Sequence, residues 1–329
     1  MSRMTVSQIN RCIDRDSSER FVFEPPEIAR ETRVVQAAQL DSLHFLEMKA
    51  MLVVMLGLCL ASTGCVPRTP PEVVPASTRR APDVVFVPTP FAVVDQMLAV
   101  ARVGAGDVLY DLGSGDGRIV IAAAKRFGIR AVGIDIDPKR IEESRENADT
   151  AGVTDKVEFR QADLFTTDLR TASVVTLYLL PELNVRLRPK LFAELRPGSR
   201  VVSHSFDMGD WRADSTMVVD ARLIYFWVVP ADISGRWTVV AAVDGSERRQ
   251  EIRFAQKYQR VTAADAGSGR TIDTAMVAGD NVRFVMSDRS SGDAVVTVFR
   301  GKVAGDSMTG IFARGATSGS WRATRRAPR

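Results

Sequence analysis

The chain has 329 residues, 45% of them hydrophobic and 26% charged, with a formal net charge of +4. That length suits two folded units and a tail rather than one domain, and the charge is too mild for a nucleic-acid-binding face, so no nucleic acid partner is expected. The cysteines are Cys12, Cys59 and Cys65 and the histidines are His44 and His204. This excludes a disulfide framework and a thiolate or histidine metal centre in the folded part, and it argues against a Ser-His-Asp triad.

Residues 1–47 show no sustained period and no glycine, and read as an upstream extension or a disordered segment. Met48-Lys49-Ala50 then leads into an apolar run that begins at Met51 and ends at Leu60, followed by Ala61-Ser62-Thr63-Gly64-Cys65. A basic start, about ten apolar residues and a small-residue end make a secretory signal over 48–65, too short to span a bilayer as a helix. The Gly64-Cys65 ending resembles the lipobox of bacterial lipoproteins, in which Cys65 is acylated. Membrane association through Cys65 or the apolar run is therefore expected, with translation starting at Met48 and the side of the membrane left open. Residues 66–85, with five prolines, read as a semi-extended linker.

From Pro90 helices and strands alternate. The pattern predicts helices over 91–103, 119–127, 138–151 and 182–195, and strands over 107–112, 131–136, 157–160, 173–179 and 200–205. Such alternation implies an α/β domain, a doubly wound Rossmann-like parallel sheet over residues 86–230, with its ligand at the carboxyl ends of the strands. The first strand runs into Gly113-Ser114-Gly115-Asp116-Gly117. A dinucleotide loop needs a third glycine where Arg118 stands, and Asp111 and Asp116 put carboxylates where a pyrophosphate would lie. Negative charge there suits a cationic ligand bearing an ammonium and a sulfonium, which is S-adenosylmethionine. Asp135 ends the second strand, placed to accept two ribose hydroxyls. Asp163 follows the third, placed for the adenine amino group. Asp137 reads as a solvated or helix-capping neighbour.

Four blocks sharpen this reading: Val87-Pro88-Thr89-Pro90, Tyr110-Asp111-Leu112-Gly113-Ser114-Gly115-Asp116-Gly117-Arg118-Ile119, Thr176-Leu177-Tyr178-Leu179-Leu180 and Val201-Val202-Ser203-His204. In this order they resemble the seven-strand protein-lysine methyltransferases, the family of the archaeal broad-specificity and ATP synthase c-subunit enzymes. The resemblance runs over roughly residues 84–230, and Ile224-Tyr225-Phe226-Trp227 resembles the family's last strand. It implies methyl transfer to a protein lysine, with Thr89, Asp111, Gly113, Gly115, Gly117, Asp135 and Asp163 at the cofactor and Leu177, Tyr178 and Asn184 at the acceptor. Tyr178 reads equally as a strand-end core aromatic, and His204 reads as a structural hydrogen-bonder. A small-molecule methyltransferase on the same fold, or a lipid-anchored binding protein with an inactive domain, are the alternatives.

Beyond Pro230 the pattern changes to short strands over 237–243, 250–258, 271–277, 281–286, 294–299 and 307–312, separated by Gly/Asp turns. Residues 231–329 are predicted to form a small antiparallel all-β, barrel-like domain resembling lipocalin-like bacterial modules. Sixteen Lys and Arg against ten Asp and Glu from Asp232 onward read as a solvated exterior.

Overall fold

The computed structural model describes residues 85–243, 246–265, 271–288 and 294–327. The expectations for the upstream extension, the signal segment with Cys65 and most of the linker lie outside these residues. Among the described residues no helix is long and apolar enough to cross a membrane.

Seven strands form the first sheet: β1 (Val108–Leu112), β2 (Arg130–Asp135), β3 (Val157–Gln161), β4 (Val174–Leu177), β5 (Arg200–His204), β6 (Ser215–Val219) and β7 (Arg222–Val228). Their order is β3-β2-β1-β4-β5-β7-β6. Strands β1 to β5 pair in parallel, while β7 runs antiparallel to both β5 and β6. The chain builds outward from β1 to β3, then returns to place β4 on the other side of β1. The resulting switch point opens a crevice beyond the carboxyl ends of β1 and β4.

Helices α1 (Phe91–Val100), α2 (Arg118–Phe127) and α3 (Pro138–Ala151) precede and link the first strands, and α4 (Pro181–Glu194) follows β4. At α3 the start has a local cause. Asp137 caps the helix by accepting from the Lys139 N–H at 2.9 Å, with Pro138 preset for the first turn. Alternate strand residues enter two separate cores: Leu109, Ala131, Val174 and Val202 pack with α1 to α3, whereas Tyr110, Val132, Val175 and Val201 pack with α4 residues Leu187 and Leu191. Burial of both faces explains why these strands read as continuous apolar runs.

Strands β8 (Gly235–Val243), β9 (Ser246–Lys257), β10 (Arg260–Asp265), β11 (Thr271–Ala278), β12 (Asn281–Asp288), β13 (Val295–Ala304), β14 (Ser307–Arg314) and β15 (Thr317–Arg325) form a closed antiparallel barrel, in which β15 pairs with β8. Closure leaves no free edge to recruit another chain. Two of these strands, β10 and β15, escaped the sequence pattern, as did β6 in the first sheet. The lipocalin-like expectation holds for the outline and not for the interior. Trp237, Phe254, Phe284, Phe312 and Trp321 fill it, and Phe284 stacks on Phe299 at 4.5 Å. The hollow at its mouth, beside Val239, Met286 and Arg314, is about 50 Å³, far below the roughly 300 Å³ that a small-molecule pocket needs.

A glycine on β13 makes room for one indole. Gly301 lies opposite Gly310, and a Cβ on Gly301 would stand 2.7 Å from Trp321 Cζ2 and 2.4 Å from the Thr309 carbonyl oxygen. The indole N–H meanwhile donates to the Arg300 and Ile311 carbonyls at 3.0 and 3.1 Å. Because the backbone cannot yield, Gly301→Ala is expected to destabilise the barrel by about 1–3 kcal/mol. Urea unfolding followed by tryptophan fluorescence measures this, and an unchanged midpoint would show that the indole has slack.

Candidate functional site

The crevice at the switch point is a cleft of about 490 Å³. Strand β1 delivers Asp111 to its floor, where the residue is only 3% exposed and accepts from the Thr176 hydroxyl at 2.7 Å. Burial, and secondarily the nearby Asp135 and Asp116 charges, push its carboxyl up to about 7 despite that bond. Asp135 ends β2 with both oxygens engaged, one by the Gly115 N–H at 2.8 Å and the other by the Asp137 N–H at 2.9 Å. Burial raises its carboxyl too.

Between them lies the glycine loop, anchored by the Gly113 and Ser114 N–H groups donating to the Ile134 carbonyl at 2.8 and 3.0 Å. Gly113 sits against Leu179. Gly115 and Gly117 adopt left-handed φ of 55° and 79°. A Cβ on Gly117 would meet Ser144 and Phe159 at 2.7 Å, and one on Gly115 would enter the Phe86 ring at 2.2 Å. Both positions therefore need glycine on conformational and steric grounds. Gly113 lines the cleft directly, while Gly115 and Gly117 shape the loop beneath it.

Asp116 does not stand free, as the sequence pattern suggested. Its carboxylate takes the Arg118 Nε at 2.9 and 3.0 Å, so that charge is compensated within the protein. Arg118 also donates to the Thr89 carbonyl at 2.7 Å, and the Thr89 hydroxyl bonds His204 Nδ1 at 3.1 Å. Segment 85–90 is thereby strapped over the glycine loop, with the Phe86 ring on Gly115 and the Arg140 guanidinium 4.8 Å from its centroid. Sequence reasoning treated Arg118 only as a misfit to the dinucleotide pattern and gave Phe86 no role. The Val87-Pro88-Thr89-Pro90 block was the available signal for that strap.

Asp163 follows β3 and lines the cleft with Ala162, Leu164 and Phe165. Its carboxylate accepts from the Phe165 N–H at 2.8 Å, which fixes the turn. On the opposite wall stand Tyr178, Leu179 and Leu183. The Tyr178 ring lies 3.9 Å from that of His204 and 6.1 Å from that of Phe206. Burial, with help from Arg222, holds the His204 imidazole down at about 4, so it is neutral.

The structure does not bring Leu177 and Asn184 into the cleft. Leu177 is fully buried in the α4-side core, and the wall is made by the residues just beyond the strand end. Asn184 is also fully buried, and its amide donates to Ser203 Oγ and to the Phe206 and Asp207 carbonyls at 3.1–3.3 Å. It holds the loop after β5 rather than touching a ligand.

The donor set fits one kind of molecule. The buried carboxylate of Asp111 and the half-buried one of Asp135, neither with a cation partner among the described residues, suit an ammonium and vicinal hydroxyls, and the apolar Ile134, Ile136, Leu164 and Phe165 suit a flat base. Fold and cleft thus define the class: this is an S-adenosylmethionine-dependent methyltransferase. Residues 111–215 match the ANTKMT methyltransferase domain. A protein-lysine N-methyltransferase of Saccharolobus islandicus (strain REY15A) is 42% identical over 153 residues, covering 45% of this chain and 95% of the relative. The lysine N-methyltransferase of the ATP synthase c-subunit from Rattus norvegicus is 33% identical over 195 residues, 59% of this chain and 88% of that protein. The chain spans about half the length of the mouse and human counterparts. A solved structure described as an RNA methyltransferase from Salinibacter ruber, in complex with S-adenosyl-L-homocysteine, is 58% identical over 45% of this chain and 96% of its own, with a TM-score of 0.44. The chain belongs to the protein-lysine N-methyltransferase family.

Two outcomes test the cofactor side. Asp135→Ala should weaken S-adenosylmethionine binding about ten- to hundred-fold by calorimetry, the cost of losing charge-assisted hydrogen bonds. Affinity should also rise with pH up to about 7 and then level, because a cationic ligand needs Asp111 ionised, and Asp111→Asn should flatten that rise. A pH-independent parent would show that Asp111 is not beneath the charge.

Proposed function

We propose that this enzyme transfers methyl groups to the ε-amine of lysine in a protein, with the cofactor over Asp111, Asp135 and Asp163 and the acceptor entering past Tyr178, Leu179 and Leu183. S-adenosylmethionine supplies an electrophilic methyl carbon on a sulfonium, so the protein's task is alignment more than proton transfer. The observation that carries the reading is an acceptor wall of apolar residues and one tyrosine, whose neighbouring imidazole is held neutral by burial.

A lysine of ordinary pKa, about 10.4, pays roughly 4–5 kcal/mol to present a neutral amine at pH 7. His204, at about 4, is too weak a base to take that proton. The wall acts instead by desolvation: Leu179 and Leu183 disfavour the ammonium, and the proton leaves to solvent before the amine is enclosed. Tyr178, whose ring lies against those of His204 and Phe206, lines the cleft and orients the incoming nitrogen.

Radiolabelled methyl donor added to a bacterial lysate with the full chain should label protein bands, mapping to lysine by mass spectrometry. Label confined to small molecules, or to the RNA fraction, would overturn the acceptor assignment while leaving donor binding intact.

Membrane association is part of the same proposal. The apolar run from Met51 to Leu60 and the lipobox-like Cys65 support a lipid tether, with the prolines of 66–85 as spacer. Fractionation of cells expressing the full chain, beside Cys65→Ala, decides it: parent in the membrane and variant released is the expected pair. Equal solubility of the two would sink the tether.

A further inference from the structure

Between β5 and β6 the chain runs through residues 205–214 without regular structure beyond a single bridge between Met208 and Trp211. This segment carries Phe206, the outer partner of Tyr178, so its position sets one side of the acceptor wall. The catalytic domain holds it from below. Asn184 takes the Phe206 and Asp207 carbonyls, and Arg188 donates to the Met208 carbonyl at 2.6 Å.

The other side of the segment is held by the barrel. The turn between β9 and β10 projects Lys257, Tyr258 and Gln259 onto it. The Tyr258 ring packs 5.5 Å from Phe192 on α4 and 6.2 Å from Trp211, and its hydroxyl donates to Asp210 at 2.9 Å. Lys257 and Arg188 reach the same carboxylate at 2.8 and 2.6 Å, holding Asp210 down at about 2. Gln259 donates to the Arg212 carbonyl at 2.6 Å. Tyr258 itself sits at φ 57°, a left-handed conformation that costs a bulky residue free energy and persists only where surrounding contacts enforce it. The strain is concentrated at the one barrel residue that enters the catalytic domain's aromatic cluster.

We propose that the barrel is a brace for the acceptor wall, and that Tyr258 is a positioning residue acting on Tyr178 through the 205–214 segment. The contacts form an unbroken physical series: Tyr258 against Trp211 and Asp210, the segment's backbone pinned by Arg188 and Asn184, Phe206 on Tyr178. None of these residues belongs to the glycine loop, to β2 or to the Asp163 turn. The brace therefore acts on acceptor geometry and leaves the methyl donor's side alone. A supporting shell of this kind is what holds a reacting pair within the few tenths of an ångström that alignment demands. The inference rests on the acceptor entering beside Tyr178, as argued above.

The test uses the full chain with Tyr258→Ala, Tyr258→Phe and the milder Asp210→Ala, which removes the shared carboxylate but leaves the ring seated. In Tyr258→Ala, amide hydrogen exchange should quicken over 205–214 and at 178–180 while 113–117 stays protected. The calorimetric affinity for S-adenosylmethionine should stay unchanged. Methyl transfer into poly-L-lysine should lose about ten-fold in kcat/KM, chiefly through acceptor KM. Tyr258→Phe, which keeps the ring, should recover most of that loss, and Asp210→Ala should fall between. Unchanged exchange at 178–180 in a folded Tyr258→Ala protein, or donor affinity falling in step with kcat/KM, would overturn the brace. Absence of label from poly-L-lysine with the parent enzyme would instead count against the lysine reading, with the exchange data still deciding the brace.

Discussion

A carboxylate sealed from water, with no cation partner among the described residues, is the constraint around which the catalytic domain is organised. Asp111 is 3% exposed and is supported by the Thr176 hydroxyl. A neutral hydrogen bond offsets only part of the cost of burying a charge. Asp116, close by, already has Arg118, and among the described residues Asp135 is held by backbone N–H donors. Among the described residues the floor of the cleft is thus short of positive charge, which a cationic ligand would supply. The sign of the titration follows. An acid whose folded value stands near 7 against an ordinary 3.8 binds more protons folded than unfolded, so the ligand-free protein loses stability as pH climbs from about 4 to about 7. His204 works in the opposite sense: its value is lowered from 6.5 to about 4, so the stability it contributes is lost as pH falls through that window. Asp111 and His204, both buried, therefore pull stability in opposite directions with pH.

The grouping of the carboxylates and the glycine loop at the switch point was legible in the sequence because it is local. Asp111, the three glycines, Asp135 and Asp163 each lie at or just beyond a strand end, so chain order alone places them together at the switch point. Two residues expected at the acceptor, Leu177 and Asn184, lie outside the cleft, because their surroundings are set by contacts that chain order does not show. Leu177 and Tyr178 are neighbours, yet β4 stops at Leu177, which points into the core, and the cleft is lined by the two residues beyond it. Asn184 looked like a polar group at a helix start near the site. Its environment was decided instead by the Ser203, Phe206 and Asp207 partners that β5 and the loop after it bring 19 to 23 residues later. Likewise Phe86 owes its position to the absence of a side chain at Gly115, a complementarity across 29 residues that no local pattern encodes.

The same distinction separates the barrel strands that were found from those that were missed. Strand β12 shows buried Val282, Phe284 and Met286 at period two and is unmistakable. Strand β15 reads Thr-Ser-Gly-Ser-Trp-Arg-Ala-Thr-Arg, and β10 reads Arg-Val-Thr-Ala-Ala-Asp. Apart from Trp321, the inward positions of β15 hold Thr317, Gly319 and Ala323, and β10 offers Val261 and Ala263, beside large neighbours from adjacent strands such as Phe312 over Gly319. A strand whose apolar contribution is supplied across the ladder has little hydrophobic signature of its own. Both missed strands are nonetheless obligatory, because the barrel closes through β15 on β8, and β10 joins β9 to β11.

Closure also bears on why an all-β module should follow a methyltransferase sheet at all. Among the described residues the barrel's interior is filled by aromatic side chains and its sheet is closed, and a packed, closed sheet supplies rigidity at its loops. The loop that meets the catalytic domain is the tight β9–β10 turn, held between the longest strand of the barrel and its neighbour, with six cross-strand pairs behind it. An irregular segment such as 205–214 lacks a ladder of its own and must borrow order from what it touches. The catalytic domain lends it Asn184 and Arg188, and the barrel lends it Tyr258 and Gln259. The segment that sets Phe206 against Tyr178 is in this sense held by both folding units, whereas the carboxylates and glycine loop at the switch point belong to the first alone.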